Sequence, residues 1–367
     1  MRDRVGAIAC VWGVLWMACA LLSGVLGVAA APREPAATTE TPGHAMGGPF
    51  RIRSLSPVQL LFFQFTPERA LPVPHDAWDL HVDVLKANIL ARDRRGDDFF
   101  LFDFELTRAN LALEYGIYDR LAIGLEIPLL YTWRGVLDDP IKQFESVTGF
   151  KRTIRFNRSQ HLFSYLLQKD GRTVLQGQPG ALGIGDIALT SKALLWKERA
   201  WTPAIAARFA LKLPTGDEDR ALGSGEVDVG LGLALEKTLG PVRLYFNGSL
   251  TLPTGDPFAG TGIESVPMLS GFLTAQYHLT RYFSLMLQLN GVSPPVRQTG
   301  LDIGKASFEI LAGVAWEIPS SSLVWQAGFM EDINNTDRTA DVAVFMSWSV
   351  RFSRPSSPSA CCQEPAQ

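Results

Sequence analysis

The sequence predicts an all-β fold, a membrane up-and-down antiparallel β-barrel of about twelve strands. Segments in which apolar and polar residues alternate recur from about residue 78 to residue 353, as strands with two different faces require. Tight and long connections alternate between these segments, and the strand count is even. Two strands end in nearly the same residues, 211–217 (LKLPTGD) and 250–256 (LTLPTGD), and the stretch between these ends holds one inbound and one outbound strand. Both therefore end at the same rim.

The N-terminus predicts export. Arg2 and Arg4 precede an apolar stretch, residues 5–28, which ends in three alanines. This pattern is typical of a secretory signal peptide, residues 1–30, cleaved after Ala30, with an uncleaved anchor as the alternative. Residues 31–48 are rich in Pro, Ala and Thr and are predicted to be a disordered linker. Export and a membrane barrel together predict the bacterial outer membrane as the location.

The next segment, residues 49–77, is too apolar for a free linker. It contains the run 58–65 (VQLLFFQF), and Pro67, Pro72 and Pro74 follow closely. We expect a plug-like N-terminal segment that is tucked against or inside the barrel. A segment on the periplasmic membrane surface is the alternative.

The barrel itself is predicted over residues 78–353, followed by a disordered tail, 354–367. The predicted strands are 78–90, 99–115, 120–132, 184–197, 202–213, 226–237, 241–252, 266–279, 281–292, 304–317, 322–332 and 340–353. In the third, for example, Ile123 and Leu125 alternate with Gly124 and Glu126. In the first two strands the apolar residues change parity partway, and we expect one β-bulge in each because a single extra residue restores the facing.

Loop lengths favour a membrane barrel over a soluble sandwich. Tight turns are predicted at 115–120, 238–241, 279–281 and 319–322, and the other connections are long. Short periplasmic turns opposite longer outer loops are typical of outer-membrane barrels. The longest loop, residues 132–183, is predicted to carry a short helix near 138–148, either a lid over a pore or a packed surface element. The repeated Pro-Thr-Gly-Asp is predicted to end strands rather than to bind a ligand.

Composition limits the partners. The net charge is −3 and no Lys/Arg block is present, which argues against nucleic acid. The predicted barrel contains no cysteine and no cluster with metal-ligand spacing, so neither a metal nor another cofactor is expected. The expected partners are outer-membrane lipid, a small-molecule solute and the barrel-assembly machinery, for which the last strand ends in the aromatic Phe352.

Charged residues at lumen-facing positions are the candidate functional residues. They are Asp103, Glu105, Glu126, Asp186, Lys192, Arg208, Lys212, Asp228, Glu236, Arg243 and Glu309. They form either the polar lining of a pore or a cross-barrel network that fills the lumen. The network is the favoured interpretation, because a twelve-stranded barrel is narrow enough to be filled by side chains.

No catalytic residue is predicted. His161 and Ser164 have a loose similarity to the His/Ser pairs of outer-membrane lipid hydrolases, and His81 shares a face with Asp83. The main hypothesis is therefore a channel or passive transporter for a small solute, a hydrophobic one included. A lipid-modifying hydrolase and a purely structural barrel are the alternatives.

Several local sequences resemble an uncharacterised family of bacterial outer-membrane β-barrel proteins, known only as a domain of unknown function. They are residues 48–53 (GPFRIR), Asp103 and Glu105 with Arg108, residues 115–121 (YGIYDRL), residues 135–144 and residues 156–158 (FNR). The later part of the chain is also similar to the MetA-type phenol-degradation barrels through its LPTGD strand ends. These resemblances imply a barrel fold and an outer-membrane location, and the second implies passage of hydrophobic compounds.

Overall fold

The computed structural model describes residues 47–134, 163–319, 321–333 and 340–353. Within them it contains the strands β1 Ala77–Arg95, β2 Asp98–Tyr118, β3 Leu121–Trp133, β4 Ser164–Lys169, β5 Arg172–Gln176, β6 Ala181–Ile184, β7 Ala188–Trp196, β8 Ala204–Lys212, β9 Asp228–Leu239, β10 Val242–Pro253, β11 Glu264–Ser265, β12 Met268–His278, β13 Phe283–Val292, β14 Val296–Arg297, β15 Ser307–Glu317, β16 Leu323–Asp332 and β17 Ala340–Ser353. The predicted signal peptide, most of the linker, the helix near 138–148, His161 and the tail lie outside the described residues.

Twelve of these strands form a closed antiparallel barrel. Their order around the wall is β1, β2, β3, β7, β8, β9, β10, β12, β13, β15, β16 and β17. The barrel closes where Ala77 of β1 pairs with Ser353 of β17. The prediction of a twelve-stranded up-and-down barrel is thus confirmed, and each predicted strand matches an observed one within a few residues at its ends.

The two ends of the barrel differ. The end that carries Ala77 and Ser353 also carries the short connections β2–β3, β9–β10, β12–β13 and β15–β16 and is called here the short-turn end; the two-residue turn between β1 and β2 lies at the other end. At the opposite, long-loop end, β4 extends the sheet from β2, β5 pairs with β4, and β6 pairs with the end of β3. The pair β11–β14 and the 3-10 turns Glu218–Arg220 and Asp302–Gly304 lie in the loops of this end. None of the helical segments in the described ranges has the length and apolar character needed to cross a membrane.

The outer face of the barrel wall is apolar. Large side chains with 41–61% of their surface exposed recur around it, among them Ile123, Leu189, Phe209, Leu231, Phe246, Leu273, Leu289, Leu269, Phe308 and Met346. Aromatic side chains are also exposed, at Trp196, Trp201, Tyr277 and Trp316. A wall of this kind suits contact with lipid, because in water an exposed apolar surface of this extent is unfavourable.

The first two strands have no bulge at the predicted change of parity; their register shifts lie at Asn88/Ile89 against β17 and at Gly116/Tyr118 against β3. β1 and β2 keep one register over the whole length of their hairpin, and β2 keeps register with β3 from Glu105 to Gly116. The apolar residues that suggested a change of parity, such as Leu85 and Ile89 in β1 and Phe104 in β2, point into the barrel and are buried there. They are apolar because the inside of this part of the barrel is occupied by an apolar segment of the chain.

Candidate functional site

That segment, residues 47–74, is called here the lumen hairpin because it runs up the inside of the barrel and back. It enters at the short-turn end, where Gln326 Nε2 donates to the Gly48 carbonyl over 2.8 Å. Its apex, residues 57–62, includes the 3-10 turn Gln59–Leu61. The apex reaches the long-loop end, where the side-chain nitrogen Nε2 of Gln59 donates a hydrogen bond to the backbone carbonyl of Ser293. It returns to the short-turn end and continues into β1.

Wall side chains supply the hydrogen bonds that this irregular backbone cannot make by itself. The Phe63 amide donates to Asp228 Oδ2 over 2.6 Å, and Thr251 Oγ1 donates to the Phe63 carbonyl over 3.0 Å. Lys212 Nζ donates to the Leu61 carbonyl over 3.0 Å. Buried backbone groups need such partners, so these polar wall residues fix the path of the hairpin.

Glu68 on the returning limb is the centre of a buried ion network. Its carboxylate lies 2.5 Å from Arg208 Nε and 3.0 Å from Lys192 Nζ on the wall, and 3.6 Å from Arg51 Nη1 on the ascending limb. All four side chains are less than 10% exposed. Glu68 therefore joins both limbs of the hairpin to the wall.

Arg51 makes the complementary set of contacts. Its guanidinium lies 3.3 Å from Glu114, 3.4 Å from Glu126 and 3.7 Å from Asp83, all on the inner face of β1, β2 or β3. Nearer the short-turn end, Arg69 Nη2 pairs with Glu236 Oε1 over 2.7 Å. Opposite charges of the hairpin and the wall thus neutralise one another inside the barrel, as buried charges require.

Most of the residues predicted to line the lumen belong to this arrangement. Those on inward-facing positions are Glu126, Lys192, Arg208, Lys212, Asp228, Glu236, Arg243 and Glu309. Asp186 lies at the long-loop end of the wall, 2.9 Å from Lys212 Nζ. Glu309, which is fully buried, accepts a hydrogen bond of 2.5 Å from Ser54 of the hairpin.

The predicted lumen-facing position of Asp103 and Glu105 is wrong. They lie on the opposite face of β2, the one shared with Leu111 and Leu113, which faces outward. Glu105 Oε2 pairs there with Lys86 Nζ over 2.9 Å. The prediction placed them inside because it assumed a bulge that the unbroken register of β2 excludes.

The role of the hairpin's own charges in the network was not apparent from the sequence pattern. Arg51, Glu68 and Arg69 carry the hairpin side of the ion pairs, and Glu114 is the wall residue that was missed. The available signal was the presence of single charges within a proline-bounded apolar segment, since an isolated charge there needs a partner.

The lumen toward the long-loop end is filled largely by apolar side chains. Hairpin residues pack against inward-facing wall residues in one buried cluster that includes Phe50, Ile52, Leu55, Val58, Leu61, Phe62, Ile89, Phe102, Phe104, Met268, Met286, Leu311, Met330 and Phe345. The rings of Phe50 and Phe345 meet edge to face with centroids 4.7 Å apart. Polar contacts of the hairpin with Lys212, Asp228 and Glu309 also reach this end, so the apolar cluster surrounds the apex but is interrupted by charged wall residues.

Little space remains inside. One cavity of about 50 Å³ opens at the short-turn end between Arg51, His81 and Ser349, and another of about 20 Å³ lies between Arg53, Phe62 and Arg108. A single water needs roughly 10–15 Å³ of such space, so these cavities hold a few waters at most. With the hairpin in place, the described part of the barrel is closed to solutes.

One histidine has the hydroxyl partner that the sequence did not reveal. His81 Nδ1 lies 2.7 Å from Ser349 Oγ, 268 residues away. His81 Nε2 is 3.8 Å from Glu114, beyond hydrogen-bond distance, and that carboxylate is already bound by Arg51. In the other predicted pair, Ser164 donates to the Leu101 carbonyl.

Beyond the barrel wall at the long-loop end, Lys169 donates a hydrogen bond to Asp98 and so fastens β4 to the start of β2. This bond holds the pKa of the Asp98 carboxyl below its ordinary value, and it raises the pKa of Lys169. The Asp170 amide also donates to Asp98, over 2.7 Å. Asp98 therefore holds the turn of the β4–β5 hairpin at the start of β2.

Comparison with known proteins gives a family and a fold. A family described as "Protein of unknown function (DUF3187)" matches residues 36–352. The COG4313 outer membrane channel from Pseudomonas putida F1 has a TM-score of 0.54 at 16% identity, over 79% of this chain and 100% of that one.

Two further structures are less similar. The NanC porin has a TM-score of 0.41 at 6% identity, over 75% of this chain and 100% of that one. The P. putida toluene transporter TodX has a TM-score of 0.36 at 10% identity, over 77% and 92%. A comparison with curated proteins found no match. The similarity to the COG4313 channel shows that the chain has the fold of an outer-membrane barrel.

Proposed function

The chain belongs to the DUF3187 family of proteins of unknown function, and we propose that it is an outer-membrane channel that passes a small apolar solute and is closed by its own lumen hairpin. The apolar outer face supports insertion in the membrane, with the long loops outside. The observation that carries the proposal is the apolar cluster that surrounds the hairpin apex, because it extends to the long-loop end, the side from which a solute would arrive. The similar P. putida F1 protein is described as a channel, which agrees with this role.

The lumen hairpin decides when such a channel is open. Its apex packs within the apolar cluster, and its charged residues Arg51, Glu68 and Arg69 fasten it to the wall. An apolar solute that entered from outside would compete with the apex for the same surface. Passage therefore requires the hairpin to move.

One observation, the contact of Ser349 with His81, supports the alternative function of a lipid-modifying hydrolase. The pair faces a lumen cavity of about 50 Å³ and not the lipid, which argues for a structural role. Replacing Ser349 with Ala and finding an unchanged phospholipid and lipopolysaccharide profile would remove this alternative.

A disulfide lock tests the proposed channel. Ser54 Oγ of the hairpin and Ser307 Oγ of β15 are 3.3 Å apart, close enough for a disulfide between Ser54→Cys and Ser307→Cys. The four cysteines of the sequence lie at positions 10, 19, 361 and 362, outside the barrel, so they do not compete within the wall. The single variant Ser54→Cys is the matched control.

The measurement is uptake of the apolar dye 1-N-phenylnaphthylamine by cells that express the protein. We expect the double variant to take up dye only after reduction of the disulfide, while the single variant does so under both conditions. Equal uptake by the locked and reduced forms would contradict a moving hairpin. Uptake no faster than in cells without the protein would contradict the channel itself.

A further inference from the structure

Two arginines line the cavity of about 20 Å³ beside the hairpin apex. Arg53 comes from the ascending limb of the hairpin and Arg108 from the inner face of β2. Lys212 lines the same cavity, so three positive charges face the two carboxylates of Glu126 and Asp186. Two like charges placed together in a narrow lumen are unfavourable unless something neutralises them.

Neither arginine has a carboxylate partner among the residues that the structure describes. Arg53 forms no hydrogen bond or ion pair there, and the one bond of Arg108 is a contact of 3.4 Å to the Asn110 amide oxygen. Arg108 is 6% exposed, and its Nε has no acceptor. Arg51 and Arg208 in the same lumen, by contrast, each have a carboxylate within 3.5 Å.

The carboxylates that line the same cavity are already engaged. Glu126 accepts hydrogen bonds from Arg51 and from Thr66. Asp186 accepts from Lys212 and from the backbone amide of Ser224. The two arginines are thus left with donors that no wall residue uses.

The remaining walls of the cavity are apolar. They are formed by Leu60 and Phe62 of the hairpin apex and by Leu130 and Leu222 of the barrel. A ligand that satisfies the arginines here would carry an anionic head group and an apolar body. A carboxylate matches the planar donor fork of a guanidinium, since it can accept two parallel hydrogen bonds.

We infer that Arg53 and Arg108 bind the carboxylate of an apolar acid. The inference rests on the proposed function, for which it specifies the solute class. A cavity of this size holds only a small group, so the apolar body takes the space of Leu60 and Phe62. Binding of the acid and full docking of the hairpin apex therefore exclude each other.

The test compares decanoate with decanol, which has the same chain length and no charge, by calorimetric titration of the full-length protein in a non-ionic detergent. We expect decanoate to bind at least about tenfold more tightly than decanol, because only the carboxylate accepts charge-assisted hydrogen bonds from the two guanidinium groups. Arg53→Gln and Arg108→Gln should each remove this preference and leave decanol binding unchanged. Arg69→Gln, which alters another hairpin arginine, should keep it.

Equal binding of decanoate and decanol to the unaltered protein would overturn the inference without any variant, so the test does not depend on how the variants fold. A preference that survives Arg53→Gln and Arg108→Gln would overturn it as well. The dye-uptake experiment with the disulfide lock is independent of head-group charge. Failure of the carboxylate site is therefore distinguishable from failure of the proposed channel.

Discussion

Replacement of Glu68 by Gln should release the lumen hairpin. The carboxylate is the only hairpin group of the described network that contacts both Lys192 and Arg208, at 3.0 and 2.5 Å. Gln keeps the size of the side chain and removes its charge. The change therefore isolates the electrostatic part of the attachment.

The expected loss of docking free energy depends on the partners that Lys192 and Arg208 retain in the variant. Removing one partner from a buried ion pair costs about 3–5 kcal/mol. Lys192 retains Glu114 at 3.3 Å, and Arg208 retains the Thr66 carbonyl at 3.0 Å, so we expect about 3 kcal/mol, the lower end of that range. A loss of this size raises the fraction of molecules with an undocked hairpin by roughly 100-fold.

Trypsin cleavage reports that population. Cleavage after Arg51, Arg53 or Arg69 requires the hairpin to leave the lumen, and when opening is fast relative to cleavage its rate follows the open fraction. We expect Glu68→Gln to raise the cleavage rate of the folded protein by roughly 100-fold. Channel openings in planar bilayers should become more frequent in parallel.

The matched control is Glu264→Gln, which removes a carboxylate from a pair with Arg297 of similar length, 2.6 Å, that is exposed at the long-loop end. Exposed pairs contribute about 0–1 kcal/mol, so this variant should resemble the unaltered protein. An equal cleavage rate for Glu68→Gln and Glu264→Gln would refute the assignment of the ion network as the attachment of the hairpin.

Two further predictions concern other parts of the molecule. Gly230→Ala should weaken the docking of the hairpin by about 1–3 kcal/mol, because the new Cβ would lie 2.7 Å from the Phe63 ring. Trypsin cleavage of the hairpin should therefore be faster in this variant. The control Gly271→Ala, which has open space at its Cβ, should leave the cleavage rate unchanged. The lowered pKa of Asp98 means that its bond to Lys169 stabilises the protein above the ordinary aspartate pKa of about 3.9, and that this contribution is lost as the pH falls through the lowered value. Asp98→Asn should therefore lower the hydrogen-exchange protection of β4–β5 at neutral pH, and protection that is equal in both proteins at neutral pH would count against this role.

The barrel could be predicted from the sequence because its cause is local. Side chains on successive residues of a strand point to opposite faces, so an apolar outer face requires an apolar residue at every second position of each strand. Residues such as Leu231 and Leu233 alternate with Gly230 and Gly232 without regard to the rest of the chain. The number of strands and the position of the turns follow from this pattern alone.

The contents of the lumen could not be predicted in the same way, because their cause is not local. Arg51 meets Glu114 and Glu126 only after the chain has closed into a barrel, 63 and 75 residues later. The wrong placement of Asp103 and Glu105 has the same origin. Their strand is apolar on its inner face where the hairpin packs, and no pattern within β2 distinguishes that face from one exposed to lipid.

The path of the lumen hairpin has a consequence for how the protein is assembled. Both limbs pass through the same mouth, and the chain that follows continues directly into the first strand of the wall. No part of the chain that the structure describes is threaded from one end of the barrel to the other. Closure of the wall between β1 and β17 and insertion of the hairpin are therefore topologically independent steps, and either can be reversed without undoing the other.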